Sequence, residues 1–394
     1  MPLPAPARHA SSPPLARVNG AGPSGALAAL ALARAGWRVQ LVDPLTPQQL
    51  SGRSRAYALT HSSRALLEGL GLWAELLPAL APFNRLDLCD RALHRQVAFT
   101  SADLPAATAA IATSGSAAVG WILQHGPLMA ALLQAVQQTP AIDLQLGAAL
   151  PASPADLLVA ADGHHSPTRR EAGLRGWGFP YRQGCLTVQV RLRGSAPDQA
   201  WELFRPEGPF AVLPLGGDAF QLVWSAPMAR LQQLEALDGV AFLDALSAAL
   251  PSALQAEVLL DQPRAFPVSW ELAWPLQRRG LLLLGEAAHR CHPVGGQGLN
   301  LCWRDVAELG RLAQQCASGR FPPSALPRRY ARRRWLDMLL VLLATDALVR
   351  LFSNRQPLLL PLRRLALLLL ARSAWLRRLS LTAMTDGPCR LLGA

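Results

Sequence analysis

Leu281 to Leu309 reads LLLLGEAAHRCHPVGGQGLNLCWRDVAEL, and the order of residue types in it decides the architecture. Four leucines without a polar interruption predict a buried strand. Gly285 and Glu286 close that strand and leave an acid at its tip. A loop carrying Pro293, Gly295, Gly296 and Gly298 follows, and a helix is expected to open at Leu299–Asn300. Glycines at three of four successive positions let a flat ligand lie on the backbone, because no Cβ intervenes. The unpaired N–H groups of a helix start face such a ligand with partial positive charge and stabilise a negative group. His289, Cys291 and His292 alternate on the loop, a spacing that seldom closes a tetrahedral set, so no metal is expected.

Toward the N-terminus, residues 16–43 read ARVNGAGPSGALAALALARAGWRVQLVD. Gly20, Gly22 and Gly25 give G-x-G-x-x-G ahead of an Ala/Leu-rich helix, Gly36 ends that helix, and WRVQLV alternates as a second strand. Asp43 then stands at the strand tip, where a carboxylate accepts hydrogen bonds from an adenosine ribose. The glycine spacing alone is a weak signal; strand, helix, strand and acid together are a strong one. The strand before Gly20 follows Pro13-Pro14 and is poor in apolar residues, so a short or irregular element is expected there. Between these two stretches, DLLVAADGHHSPTR (156–169) predicts a buried parallel strand ending in Asp162-Gly163, with Ser166 and Arg169 completing D-G-x-x-S-x-x-R.

The chain has 394 residues, enough for two domains with ample core, and is 51% hydrophobic and 16% charged, which excludes a disordered protein. Its net charge is +12, and all 38 basic residues are arginine. No basic helix interleaved with base-stacking aromatics stands out, so no nucleic acid is expected. Six cysteines without CxxC spacing point to a reducing compartment and no disulfide framework. Residues 1–14 read as a frayed Pro/Ala/Ser leader and no run reaches transmembrane length. Ser62 or Ser63 is placed to cap a helix carrying Leu66, Leu67 and Leu70, and Gly120–Val136 reads as strand, turn and helix. Residues 83–118 alternate weakly, and 177–270 alternate clearly, as an antiparallel sheet with a helix over 236–250. Trp201, Phe204, Phe210 and Trp224 are candidates either for core or for the lining of a cavity. Residues 328–381 hold twelve arginines against Asp337 and Asp346, interleaved with leucine runs. They suit a helical hairpin packed on the first domain, a basic amphipathic surface at a bilayer, or both.

The three motifs, in their order, resemble those of the FAD-dependent aromatic-ring hydroxylases and, more narrowly, the ubiquinone-biosynthesis monooxygenase family (octaprenyl-methoxyphenol hydroxylase-like). The resemblance runs from Arg17 to about Ser380 and includes a C-terminal stretch, TDALVRLF, at 345–352. It implies an α/β fold like that of para-hydroxybenzoate hydroxylase: a Rossmann-type FAD domain, an inserted antiparallel β-sheet substrate domain, and C-terminal helices. The implied FAD domain comprises residues 15–80, 119–176 and 265–327; the substrate domain, 81–118 and 177–264; and a membrane-associated helical segment, 328–394. By the resemblance, Gly20, Gly22, Gly25, Asp43, Arg55, Asp162, Gly163, Gly285 and Glu286 bind FAD, with Pro293, Gly295, Gly296, Gln297, Gly298, Leu299 and Asn300 beside its ring. Flavin carries the chemistry, so no side-chain base is named and Pro293 is the nearest candidate. Relatives bear an arginine or glutamine where this chain has Gly126, for which Gln124 or His125 is a substitute, and a hairpin between 146 and 156 that this chain lacks.

The implied activity is hydroxylation of a polyprenylated phenol in quinone biosynthesis with NAD(P)H and O2, on the cytoplasmic face of a membrane and within a quinone-biosynthesis complex. Glu286 departs from the family's aspartate by one methylene. With the poor first strand, Gly126 and the missing hairpin, it supports a weakly flavin-binding accessory protein as an alternative. Another flavoenzyme of the same fold, such as an isoprenoid reductase, is the third reading.

Overall fold

The computed structural model describes residues 12–104, 118–148 and 154–391. Residues 1–11, 105–117, 149–153 (within the span where the hairpin is expected to be missing) and 392–394 lie outside these. A six-stranded sheet runs in the order Gln277–Arg278, Leu281–Leu283, Leu157–Ala160, Leu15–Asn19, Arg38–Asp43, Ile142–Leu146. It is parallel except at the Gln277–Arg278 edge. The first strand is short, as its composition predicts, but regular, pairing in register with Arg38–Asp43 and Leu157–Ala160. Helix Pro23–Arg34 is buried continuously from Gly25 to Leu32, since the sheet and two other helices surround it. Its alanines admit helix Gln297–Ala317 so closely that a Cβ on Gly310 would lie 3.2 Å from the Ala31 Cβ.

A nine-stranded sheet gathers Arg85–Asp90, Arg95–Thr100, Arg175–Arg193, Gln199–Phe204, Phe210–Gly216, Ala219–Pro227, Gln255–Leu259, Arg264–Trp274 and His289–Arg290. The stretch quoted first therefore joins the two sheets: Leu281–Leu283 belongs to the parallel one, and His289–Arg290 to the second. One face of the second sheet is sealed by helices Met228–Glu235 and Gly239–Ala249 over Leu186, Val188, Leu203, Phe210, Val212 and Trp224. That second helix is shorter than expected because Asp238 caps it through the Ala241 N–H. The opposite face packs with Val294 of the glycine loop, with strands Ala56–Leu59, Leu80–Phe83 and Gly120–Gln124, and with the C-terminal helices.

The C-terminal region forms helices Leu326–Phe352, Leu360–Arg372, Ala374–Asp386 and Pro388–Leu391. Helix Leu326–Phe352 packs on the parallel-sheet domain, as expected, burying Met338, Val341 and Leu342 in its core, whereas helix Leu360–Arg372 lies on Arg95–Thr100 of the second sheet, where Leu367 joins Val97 and Phe99. Arg363 donates to Asp90 from two guanidinium nitrogens (2.6 and 2.9 Å) with both residues buried, which fixes that docking.

Candidate active site

The first turn is set by the chain itself. A Cβ on Gly20 would meet the Ala161 carbonyl oxygen at 2.4 Å, and one on Gly25 would meet the Gly20 oxygen at 1.8 Å; at Gly22 nothing lies within 4 Å. Gly20 and Gly25 thus serve packing, whereas Gly22 faces open space. Asp43 is buried, and its carboxylate accepts from the Ala21 N–H (2.7 Å) and the Leu45 N–H (2.8 Å). The acid expected at a ribose therefore also fastens the glycine turn. Asp162 accepts from the Ser166 hydroxyl and from the Thr168 N–H (3.0 Å). Arg169 donates to the carbonyls of Ala287 (3.0 Å) and His164 (3.2 Å) and pairs with Glu271 (2.8 Å), tying the central motif to the Gly285 turn.

At that turn the Gly285 N–H donates to Asp305 (3.2 Å), which also bonds His289 Nε2 (2.7 Å) and Arg334 (2.7 Å). Asp337 pairs with both Arg334 and Arg304. Burial alone would raise the Asp305 pKa, but Arg334 and His289 hold it below the ordinary value. The Glu286 side chain is 52% exposed and projects from this buried turn, with His164 Nδ1 at 4.0 Å. Gly295 and Gly296 are consecutively left-handed (φ 67° and 63°), which reverses the chain directly into the helix. The helix consequently opens at Gln297 with Gly296 as its N-cap, two residues before the predicted start.

Asn300 is buried and clamps the loop. Its amide donates to the carbonyls of Ala58 (2.7 Å) and Gly296 (2.8 Å), and its oxygen accepts from the Thr60 N–H and the Ser63 hydroxyl. Ser63 is therefore not a helix cap; the helix is His61–Gly69, entered from Thr60. His125 is not a free substitute at Gly126 either. Its ring bonds the Tyr57 hydroxyl (2.9 Å) and the Leu50 carbonyl (2.7 Å) inside the protein. Arg55 lies over the Phe266 ring at 5.4 Å, above the second sheet.

Alternation sorts the aromatic candidates. Trp201, Phe210 and Trp224 point to the sealed face of the second sheet; Phe204 faces the loop side but stacks on Phe352 at 4.3 Å. All four are core. The loop-facing side instead presents a row across five strands: Thr187, Val223, Ala211, Glu202 and Leu88. Glu202 is 7% exposed, and its carboxylate accepts from the Gly295 N–H at 3.4 Å. Burial pushes its pKa up to about 7. Sequence reading missed it, although an acid at an inward position of Trp201-Glu202-Leu203-Phe204 was the available signal.

Two comparisons bear on this geometry. The FAD binding domain family matches residues 16–111 and 151–336, more than half of the chain. Over 390 residues the chain is 30% identical to 3-demethoxyubiquinol 3-hydroxylase of Escherichia coli strain K12, covering 92% of this chain and 96% of that enzyme. The chain belongs to the FAD-dependent ubiquinone-biosynthesis monooxygenase family. FAD is thus its cofactor and aromatic hydroxylation its reaction class. Solved structures agree on the fold, which is the para-hydroxybenzoate hydroxylase-like one. The p-nitrophenol 4-monooxygenase PnpA of Pseudomonas putida DLL-E4 superposes with TM-score 0.76 at 16% identity, over 95% of this chain and 98% of that one. Klebsiella pneumoniae HpxO complexed with FAD and uric acid gives 0.72 at 18%, over 95% and 96%.

The residues present fit FAD. Gly22, Gly163 and Gly298 each have nothing within 4 Å of where a Cβ would project, so each of the three motifs offers bare backbone at one position. Gln297 Oε1 is buried beside that helix start with no hydrogen-bond partner among the described residues, an acceptor left over for a ligand donor. Among the described residues no group of three His, Cys, Asp or Glu is placed to hold a metal ion.

Proposed function

We propose that this monooxygenase hydroxylates a polyprenylated phenol in ubiquinone-type quinone biosynthesis, with NAD(P)H and O2 as co-substrates. The observation that carries the reading is the likeness to the E. coli 3-demethoxyubiquinol 3-hydroxylase over nearly the whole of both chains. FAD, when bound, accepts hydride and activates oxygen; the protein orients the ring and excludes water. Gly20, Gly22 and Gly25 would admit the pyrophosphate to the start of Pro23–Arg34. Asp43 and Glu286 would take the ribose and ribityl hydroxyls, and Arg55, Asp162 and Gly163 would border the nucleotide. Pro293 to Asn300 would lie along the ring.

A lipid-chain substrate also accounts for the C-terminal helices. Leu362, Leu365 and Leu369 recur at spacings of three and four, one face of helix Leu360–Arg372, and are exposed, as is Leu358 in the turn before it, by 87%. Exposed Trp375 and the arginines 355, 364, 372 and 378 surround that stripe, a composition suited to an anionic bilayer surface. Among the described residues no helix is long and apolar enough to cross a membrane. The test is oxygen uptake by FAD-equilibrated protein with NADPH or NADH and 2-prenylphenol. Phenol-dependent uptake supports the enzyme. No retained flavin and no uptake would favour the accessory-protein reading, and a product gaining hydrogen without oxygen would favour a reductase.

A further inference from the structure

We propose that Glu202 is the residue that positions the phenol hydroxyl of the substrate and accepts its proton, an inference that rests on the hydroxylase reading above. Three observations converge on it. The first is location. Glu202 stands in the second sheet's loop-facing row, and its carboxylate touches the Gly295 N–H of the loop assigned to the flavin ring. It is thus a side chain of the substrate sheet already within hydrogen-bond reach of that loop.

The second is its surroundings. On its own strand its same-face neighbours are Ala200 and Phe204, and on the flanking strands Ala211 and Leu88, all apolar. Next to Phe204 is Asp90, already neutralised by Arg363. On the loop, His292 is kept neutral by burial, which lowers its pKa to about 4. Across the sheet, burial pushes the Cys185 thiol up to about 12. Arg55 lies over Phe266, which is the partner of Cys185 and not of Glu202. Among the described residues Glu202 therefore has no cationic partner. A buried acid without a counter-charge is costly unless it is kept protonated or meets a donor that it can serve.

The third is the open row beside it. Ala211 and Val223 are only partly buried, in contrast to Phe210, Val212, Leu222 and Trp224, which alternate with them and are sealed on the other face. Ala211, Thr187 and Val223 carry small side chains in the same row as Glu202, so the bulk on this side of the sheet is low beside its carboxylate. In the reaction the phenol O–H bond breaks, its proton passes to a Glu202 oxygen, and the electron pair stays on the ring oxygen. The ring so becomes more electron-rich toward an electrophilic oxygen. A carboxyl titrating close to neutral pH is matched to this exchange.

The experiment uses FAD-loaded wild type, Glu202→Gln and Glu202→Asp, with 2-prenylphenol and its O-methyl ether as probes. Binding to the oxidised holoprotein is followed by the perturbation of flavin absorbance between pH 5.5 and 8.5, in parallel with oxygen uptake. Wild type should bind the phenol more tightly as pH rises through about 7. Glu202→Gln should retain flavin, lose that pH dependence, bind the phenol about tenfold more weakly at pH 8 and take up oxygen at least a hundredfold more slowly. Glu202→Asp should restore part of the pH dependence, and the ether, having no proton to give, should bind wild type and Glu202→Gln alike. A Glu202→Gln protein that keeps flavin, the wild-type pH profile and the wild-type preference for phenol over ether would overturn the proposal while leaving the hydroxylase reading intact. Wild type that takes up no oxygen with the phenol would overturn both.

Discussion

The two glycine-led helix starts look alike in sequence but are held in opposite ways. At Gly20–Gly25 two of the three glycines are locked against backbone, Gly20 by the Ala161 oxygen and Gly25 by the Gly20 oxygen, while Gly22 faces open space. At Gly295–Gly298 the nearest atoms to an added Cβ are side-chain ones, Met384 at 3.6 Å and Ala58 at 3.0 Å; the loop is clamped by Asn300, while Asp305 on the same helix ties the Gly285 turn before it. The first turn is set by close backbone packing, on itself and on Ala161 at the end of strand Leu157–Ala160. The second is assembled from distant pieces, including Arg334 of the C-terminal helix Leu326–Phe352. The Gly20–Gly25 turn thus draws on the parallel sheet alone, whereas the stretch from Gly285 to the second helix also needs the C-terminal helix docked.

The largest effect should come from Gly25→Ala, which drives a Cβ to 1.8 Å from a backbone oxygen. Overpacking of this kind costs more than the ~1–3 kcal/mol of an ordinary core insertion, because the clash is with backbone and not with a flexible side chain. Little soluble, flavin-retaining protein should be recovered, and normal yield with bound FAD would break the contrast. Next is Asp305→Asn, which leaves Arg334 and His289 buried without their carboxylate and should destabilise by about 3–5 kcal/mol in thermal or urea unfolding. The Asp305 pKa is lowered in the folded protein, so its contribution is fully present above the unfolded value near 4 and is lost as pH falls through the folded value. Wild type should therefore lose its advantage over Asp305→Asn below about pH 4.

Asn300→Ala removes the clamp and should cost about 1–3 kcal/mol while loosening FAD more than it lowers the melting temperature. Gly22→Ala sharpens the comparison within one turn. Its Cβ meets nothing in the protein, so unfolding should shift by less than about 0.5 kcal/mol while FAD affinity falls. The effect on stability at Glu202 has the opposite sign. Its folded pKa is raised, so the wild-type protein loses stability between the unfolded value near 4 and about 7 as the carboxyl charges. Glu202→Gln should accordingly melt higher than wild type at pH 8 and alongside it at pH 5.

The parallel sheet and its three motifs were legible because each combines a period-two or continuous apolar strand with glycines at a tight turn, where close backbone packing or bare backbone requires them. Even the poor strand at Leu15–Asn19 forms, since two neighbouring strands complete its ladder. What the sequence concealed were partners far apart in the chain. Ser63 reads as a cap until Asn300, 237 residues away, takes its hydroxyl. The conspicuous aromatics drew attention to the sealed face of the second sheet, although strand alternation placed Glu202 on the other. The C-terminal leucines divide between Leu367, buried on Arg95–Thr100, and the exposed stripe, a division that a leucine run does not encode by itself.

The most direct measurement is mass spectrometry of 2-prenylphenol after turnover by FAD-loaded protein with NAD(P)H under isotopically labelled dioxygen. The account predicts a product carrying one labelled oxygen atom on the ring, absent when FAD or the phenol hydroxyl is removed. Recovery of unchanged phenol, or of a product with added hydrogen and no label, would contradict it.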